Sequence, residues 1–277
     1  MKSSFIDWRG LRIHIAEEGQ GSPLLLINGL GGSTRMWRSF ANHFSSRRII
    51  CFDAPGTGRS STSAVPVPVA TLASLAVNVL DALGVQRADV LGYSYGGAIA
   101  QQLAFSTPSR VRRLILAATT CGLGCVPGSF RAWTVLATTL RYYSMRYFER
   151  TAAITYGGRT GRNPEVRRQM MLVRHSHAPS SYGYAMQLLG ATGWSSWGFL
   201  ERIPHETLVI SGDDDPLVPI ANAEMLASRI PRARLEIVER GGHLFLWDDA
   251  EHLGERVRRF LNLPMALDVA ALKRSAA

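Results

Sequence analysis

Lysine is almost missing from this chain: Lys2 and Lys273 are the only two, and arginine carries the rest of the basic side of a formal net charge of +10. Those arginines are scattered among acids and accompany no nucleic-acid-binding motif, so the positive balance points to no nucleic-acid partner. Cysteine is scarce as well. Cys51 falls in the strand-like run RRIICFD, while Cys121 and Cys125 sit together in a glycine-rich turn. With no histidine at ligand spacing, these thiols make neither a disulfide framework nor a metal site. No apolar run reaches the roughly 20 residues that a membrane helix needs, and the opening MKSSFIDWRG lacks the apolar stretch of a secretory signal. The expectation is a cytoplasmic protein with no transmembrane segment, no metal and no organic cofactor.

What is present is a globular composition, 46% apolar and 19% charged over 277 residues, enough for one large core with an insertion and short for two independent domains. SFIDW and LRIHIA alternate apolar and polar residues around Arg9-Gly10 and read as a β-hairpin. The pattern then changes to continuous apolar runs: PLLLIN (23–28), RIICF (48–52), ADVLG (88–92), RLILAA (113–118) and TLVISG (207–212). Helical stretches such as TLASLAVNVLDALG and GGAIAQQLAFS separate them. Runs of this kind describe parallel strands buried on both faces, an α/β architecture with a mostly parallel central sheet flanked by helices. LEIV (235–238) adds a short strand, AEHLGERVRRFLNL an amphipathic closing helix, and SSTSAVPVPVA (60–70) an exposed loop.

The strand rhythm stops between Thr119 and Leu200 and resumes at Glu206. Six of the eight tyrosines lie in that gap, with Trp133, Trp194 and Trp197, and nine arginines face only Glu149 and Glu165 there. The segment reads as an inserted, locally cationic helical cap over 119–200, with the core formed by 1–118 and 201–277.

The strongest local signal is Gly92-Tyr93-Ser94-Tyr95-Gly96, directly after the strand ADVLG and directly before a helix. A serine on a sharp strand-to-helix turn is held in a strained conformation, and the flanking glycines keep the neighbouring backbone clear so that its hydroxyl projects into solvent. A hydroxyl is a weak nucleophile near neutral pH and requires a base and a group that orients the base. Both follow in chain order. Asp215 stands in SGDDDPLVP after TLVIS, and His243 in ERGGHLFLW after LEIV. Asp213 and Asp214 adjoin Asp215, but a carboxylate three residues past the strand-ending glycine and just before proline selects Asp215. Of the seven histidines, His243 alone sits in a Gly-Gly turn between strand and closing helix; His205 and His252 lie on surface-like segments. The oxyanion of an acyl-transfer intermediate needs positioned N–H donors, for which the backbones of Tyr95 and of Leu30, in Asn28-Gly29-Leu30-Gly31-Gly32, are the candidates. Asn28 is read as a brace of that loop. Together with Tyr93, Trp133, Trp194 and Leu244 it completes the candidate pocket lining. The order serine, acid, histidine across successive strand ends is that of the α/β-hydrolase fold.

Over most of its length the chain resembles the intracellular depolymerases of medium-chain-length poly(3-hydroxyalkanoate). INGLGG, FDAPGTGRSS, GYSYGGAIAQQLA, LILAATTCGLGCVPG, ITYGGRTGRNPE, GYAMQLLGATGWSS, LVISGDDDPLVP and GGHLFL carry the likeness. The triad motifs belong to the whole superfamily, and the cap motifs are more specific. The resemblance implies a Ser94–His243–Asp215 triad, a cap over an apolar acyl channel and association with the polymer granule surface. It also departs from the family pattern at Tyr93 and Tyr95, where Val and Trp are expected beside the scissile ester. The same triad serves carboxylesterases and lipases acting on soluble esters, and also cofactor-free haloperoxidase-like or C–C-bond-cleaving members of the fold; these stand as alternatives.

Overall fold

In the computed structural model, which describes residues 1–264, eight strands form one sheet. The end of the expected core segment, 265–277 with Lys273, lies outside the described residues. Strands β1 (Lys2–Trp8) and β2 (Leu11–Glu18) form the hairpin read from the sequence. Positive φ at both Arg9 and Gly10 gives its two-residue turn the twist that antiparallel strands favour. The remaining strands are β3 (Ser22–Ile27), β4 (Arg47–Phe52), β5 (Ala88–Tyr93), β6 (Val111–Ala117), β7 (Thr207–Gly212) and β8 (Ala233–Val238). Their order across the sheet is β1-β2-β4-β3-β5-β6-β7-β8, parallel from β4 to β8 and antiparallel at β2–β4.

The continuous apolar runs follow from burial on both faces. Leu25, Ile27, Val90 and Leu116 point into one core with the helices Val69–Ala82, Tyr95–Ser106 and Ile220–Arg229. Their neighbours Leu24, Leu26, Leu91 and Ile115 point into the other, against Trp37, Phe40 and the closing helix Ala250–Asn262. The two-residue period of a strand divides each run between the two cores. Every residue of β5 and β7 is buried. The edge strand β8 is only partly covered, with Val238 its one buried residue.

Between β6 and β7 the described chain forms no named strand. It runs through the helices Phe130–Leu136, Leu140–Tyr143, Met145–Tyr156, Gly158–Arg162, Pro164–His175 and Ser181–Ala191, with one isolated bridge from Gly122 to Ser195. One expectation needs correction. His205 is not on a surface segment: it is buried, and its Nε2 lies 3.0 Å from the Pro108 carbonyl, tying the lead-in of β7 to the turn before β6. Among the arginines of the inserted segment, Arg141 and Arg174 are buried.

Candidate active site

The carboxyl ends of β3, β5, β7 and β8 share one edge of the parallel sheet, and the loops leaving them bring Leu30, Ser94, Asp215 and His243 together. Ser94 joins β5 to the helix Tyr95–Ser106 with φ 52° and ψ −119°, a conformation that a residue with a side chain holds only under constraint. The constraint comes from close backbone packing. A Cβ on Gly96 would meet the Ile27 carbonyl oxygen at 2.2 Å, and one on Gly92 would meet the Gly96 carbonyl oxygen at 2.4 Å. Thr119 adds a hydrogen bond from its hydroxyl to the Ser94 carbonyl, 2.7 Å.

The Ser94 hydroxyl lies 3.1 Å from His243 Nε2, and His243 Nδ1 lies 2.7 Å from Asp215 Oδ2. With the proton on Nδ1 donated to the carboxylate, Nε2 is left to accept the serine proton. Asp215 is buried, and its other oxygen accepts from the backbone N–H groups of Leu217 and Val218 at 2.9 and 3.0 Å. Pro216, which separates Asp215 from these two residues, has no N–H to offer, and the turn presents the next two donors to one oxygen. The adjacent acids point elsewhere. Asp213 is exposed, and Asp214 takes the Gly158 N–H at 2.9 Å and the Arg162 guanidinium at the surface.

His243 itself is held from two sides: its N–H donates to the Tyr156 carbonyl at 2.6 Å, and its carbonyl accepts from the Tyr93 hydroxyl at 3.0 Å. Burial pushes the Tyr93 phenol far above its ordinary pKa, so it stays protonated and donates. Its ring also packs edge-on to Trp247.

In the loop after β3, the donors around Leu30 are already engaged. The Gly29 N–H goes to Asn28 Oδ1 (2.9 Å), the Gly31 N–H to Gln187 Oε1 (2.9 Å) and the Gly32 N–H to the Gly29 carbonyl (3.0 Å). Asn28 also donates to the Ser33 carbonyl at 2.8 Å, so it braces the loop as the sequence suggested. Among the described residues, the N–H groups of Leu30 and Tyr95 have no acceptor. Both residues border the cavity that opens beside Ser94. The Tyr95 donor sits at the start of a helix, where N–H groups lack intrahelical partners and the dipole favours negative charge.

That cavity measures about 330 Å³ and reaches Ser94 and His243. Its walls are apolar, including Leu123, Val126, Leu136, Leu217 and Val218, and both Trp133 and Trp194 line it. The Trp194 indole N–H is fixed by Gln102 at 2.9 Å. Tyr93, Asn28 and Leu244 border instead a second, smaller space that shares Ser94 and His243 with the first. Sequence reading missed the residues of the inserted segment that reach this edge: Gln187, Tyr142, Tyr156, Arg141 and Arg174. No local motif marks them, because their positions depend on how the helices cross the sheet edge.

Residues 22–250 match the alpha/beta hydrolase fold family. The chain belongs to that family. It is 39% identical over 241 residues, 87% of this chain and 84% of the relative, to a poly(3-hydroxyalkanoate) depolymerase of Ectopseudomonas oleovorans. A 2-hydroxymuconate semialdehyde hydrolase of Pseudomonas putida is 32% identical over 263 residues, 91% of each chain. Among solved structures, a hydrolase from Pseudomonas aeruginosa superposes with a TM-score of 0.80 at 26% identity, covering 94% of this chain and 98% of that one. The resemblance read from the cap and triad motifs is therefore matched by a relative along nearly the whole fold.

Proposed function

We propose that the protein is a serine ester hydrolase that cleaves medium-chain-length poly(3-hydroxyalkanoate) to 3-hydroxy acids, with Ser94 as nucleophile, His243 as general base and Asp215 as the acid that orients it. The observation that carries the chemistry is one continuous hydrogen-bonded line, Ser94 to His243 to Asp215, beside two unspent backbone donors and an apolar cavity. The 39% identity to a polymer depolymerase supports the substrate.

Ser94 Oγ attacks the ester carbonyl as its proton passes to His243 Nε2, and the N–H groups of Leu30 and Tyr95 hold the oxyanion. Collapse of the intermediate expels the alcohol oxygen, which takes the proton from the imidazolium. Water, deprotonated by His243, then attacks the acyl-enzyme and releases the acid. Residues 119–200 act as a cap whose helices roof the acyl cavity, with 1–118 and 201 onward as the catalytic core. The exposed side chains of Leu123, Val126, Phe130 and Trp133 lie in that cap, and three of them line the cavity. They form the surface that meets a cytoplasmic polymer granule.

A second reading, a carboxylesterase for soluble medium-chain esters, is favoured by Tyr95, which lines the acyl cavity where the depolymerase pattern expects Trp. Turbidity clearing of a medium-chain polyester latex, set beside turnover of p-nitrophenyl octanoate, separates the two. Clearing supports the depolymerase; turnover of the soluble ester alone supports the second reading. Ser94→Ala is expected to lower both activities by at least about 10⁴-fold. A variant retaining a tenth of the activity overturns the nucleophile assignment.

A further inference from the structure

The smaller space beside the triad has a volume of about 40 Å³ and is bordered by Ser94, His243, Asn28, Tyr156, Arg141 and Arg174. Arg174, in the last turn of the helix Pro164–His175, is 6% exposed. Among the described residues its side chain has neither a hydrogen bond nor a carboxylate partner, and its Nε is buried unpaired. Its guanidinium lies instead over the rings of Tyr142 at 4.5 Å, Tyr156 at 5.1 Å and Phe148 at 6.0 Å. Ring faces attract the cation but engage none of its N–H donors.

Arg141 brings a second buried cation, which spends its terminal nitrogens on the carbonyls of Leu136 and Thr138 and on the Tyr184 hydroxyl while its Nε stays unpaired. The Tyr156 hydroxyl is also buried without a partner. Two cations, no anion and unpaired donors around one small space describe a site that lacks its counter-charge, since a buried charge is costly unless it is paired. The volume is about three times what one water requires, the size of a carboxylate group.

We propose that this space receives a free carboxylate of the substrate, held by Arg174 and Tyr156, so that the enzyme takes esters whose alcohol portion is itself a hydroxy acid. With the acyl chain in the apolar cavity, the remaining space at Ser94 and His243 falls to the leaving side of the scissile bond. In a 3-acyloxy acid, the carboxylate stands only a few bonds from the leaving oxygen. Such a group occurs at the carboxyl end of a polyester chain and in a soluble acyloxy acid. The choice of leaving side rests on the ester-hydrolase reading; the anion site itself does not.

The test compares kcat/KM for the dimer of 3-hydroxyoctanoate as free acid and as methyl ester, for the wild type, Arg174→Gln and Tyr156→Phe. The wild type should prefer the free acid by at least tenfold. Arg174→Gln should erase that preference while p-nitrophenyl octanoate turnover stays within threefold, and Tyr156→Phe, which keeps the ring, should weaken it. Equal wild-type rates on the two dimers, or equal losses on charged and neutral substrates in both variants, overturn the proposal and leave the esterase reading intact. Calorimetric binding of 3-hydroxyoctanoate to the wild type, against its methyl ester, supplies a readout without turnover. Tight binding of the acid alone supports the site even if no ester is cleaved, in which case the esterase reading fails; equal or absent binding of both overturns it. Capping the carboxyl ends of a latex as methyl esters identifies the source: slowed clearing marks the polymer end, and unchanged clearing marks the soluble acyloxy acid.

Discussion

Asp213, Asp214 and Asp215 are chemically identical and adjacent, and their surroundings alone separate them. Asp215 gives one oxygen to His243 and the other to two backbone N–H groups, while Asp214 lies at the surface beside Arg162. Asp215→Asn keeps the shape but offers the imidazole the wrong partner, and should lower kcat on p-nitrophenyl octanoate by about 10⁴-fold. Asp214→Asn should leave kcat within a few-fold and cost less than about 1 kcal/mol in denaturant titration, because a half-exposed ion pair contributes little. A reversal of the two results transfers the orienting role to Asp214. The spacing of Asp215 from the strand-ending glycine and its proline was legible in the sequence, because a local turn sets which carboxylate faces inward. The burial of Arg174 was not, since a helical arginine looks the same in sequence whether it faces water or a neighbouring helix.

At the scale of elements, the loops at the strand ends carry the candidate triad and the strands hold them in register. His205 shows how a loop outside the site is tied down. It is buried at the entry to β7, and desolvation lowers the pKa of its imidazole, so the folded chain keeps it neutral. Between that lowered value and the ordinary value near 6.5, the unfolded chain binds a proton that the folded chain does not, so stability falls as pH drops through this window. Chemical denaturation from pH 7 to pH 5 should therefore show a steeper loss for the wild type than for His205→Gln. Parallel slopes sink this account. The strands themselves could be read directly, because burial on both faces demands unbroken apolar runs. His205 could not, because the polar HETL context conceals that Pro108 and β6 cover it.

For the whole molecule, the opening of the apolar cavity coincides with the exposed hydrophobic side chains of the inserted segment. Phe130 is 81% exposed and Leu123 62% exposed, and Leu123 also lines the cavity. Large apolar side chains gathered in the open near a site mark a surface for contact. The variant Phe130→Ser, at a position outside the cavity lining, should lose at least about fivefold in latex clearing and retain p-nitrophenyl octanoate turnover within about twofold, a difference of about 1 kcal/mol in surface binding. Loss of both activities together shows that this residue shapes the site and not the docking surface. No helix among the described residues is long and apolar enough to cross a membrane.

By itself the sequence determined the alternation of strands and helices and the strained turn at Ser94, and it marked Asp215 and His243 as the candidate acid and base, because each is written in neighbouring residues whose spacing obeys local geometry. Only the tertiary structure decided what surrounds them: the unspent donors of Leu30 and Tyr95, the apolar cavity and the unpaired guanidinium of Arg174. Those properties arise where distant segments meet. Burial and the absence of a partner belong to the packed assembly and to no stretch of chain alone.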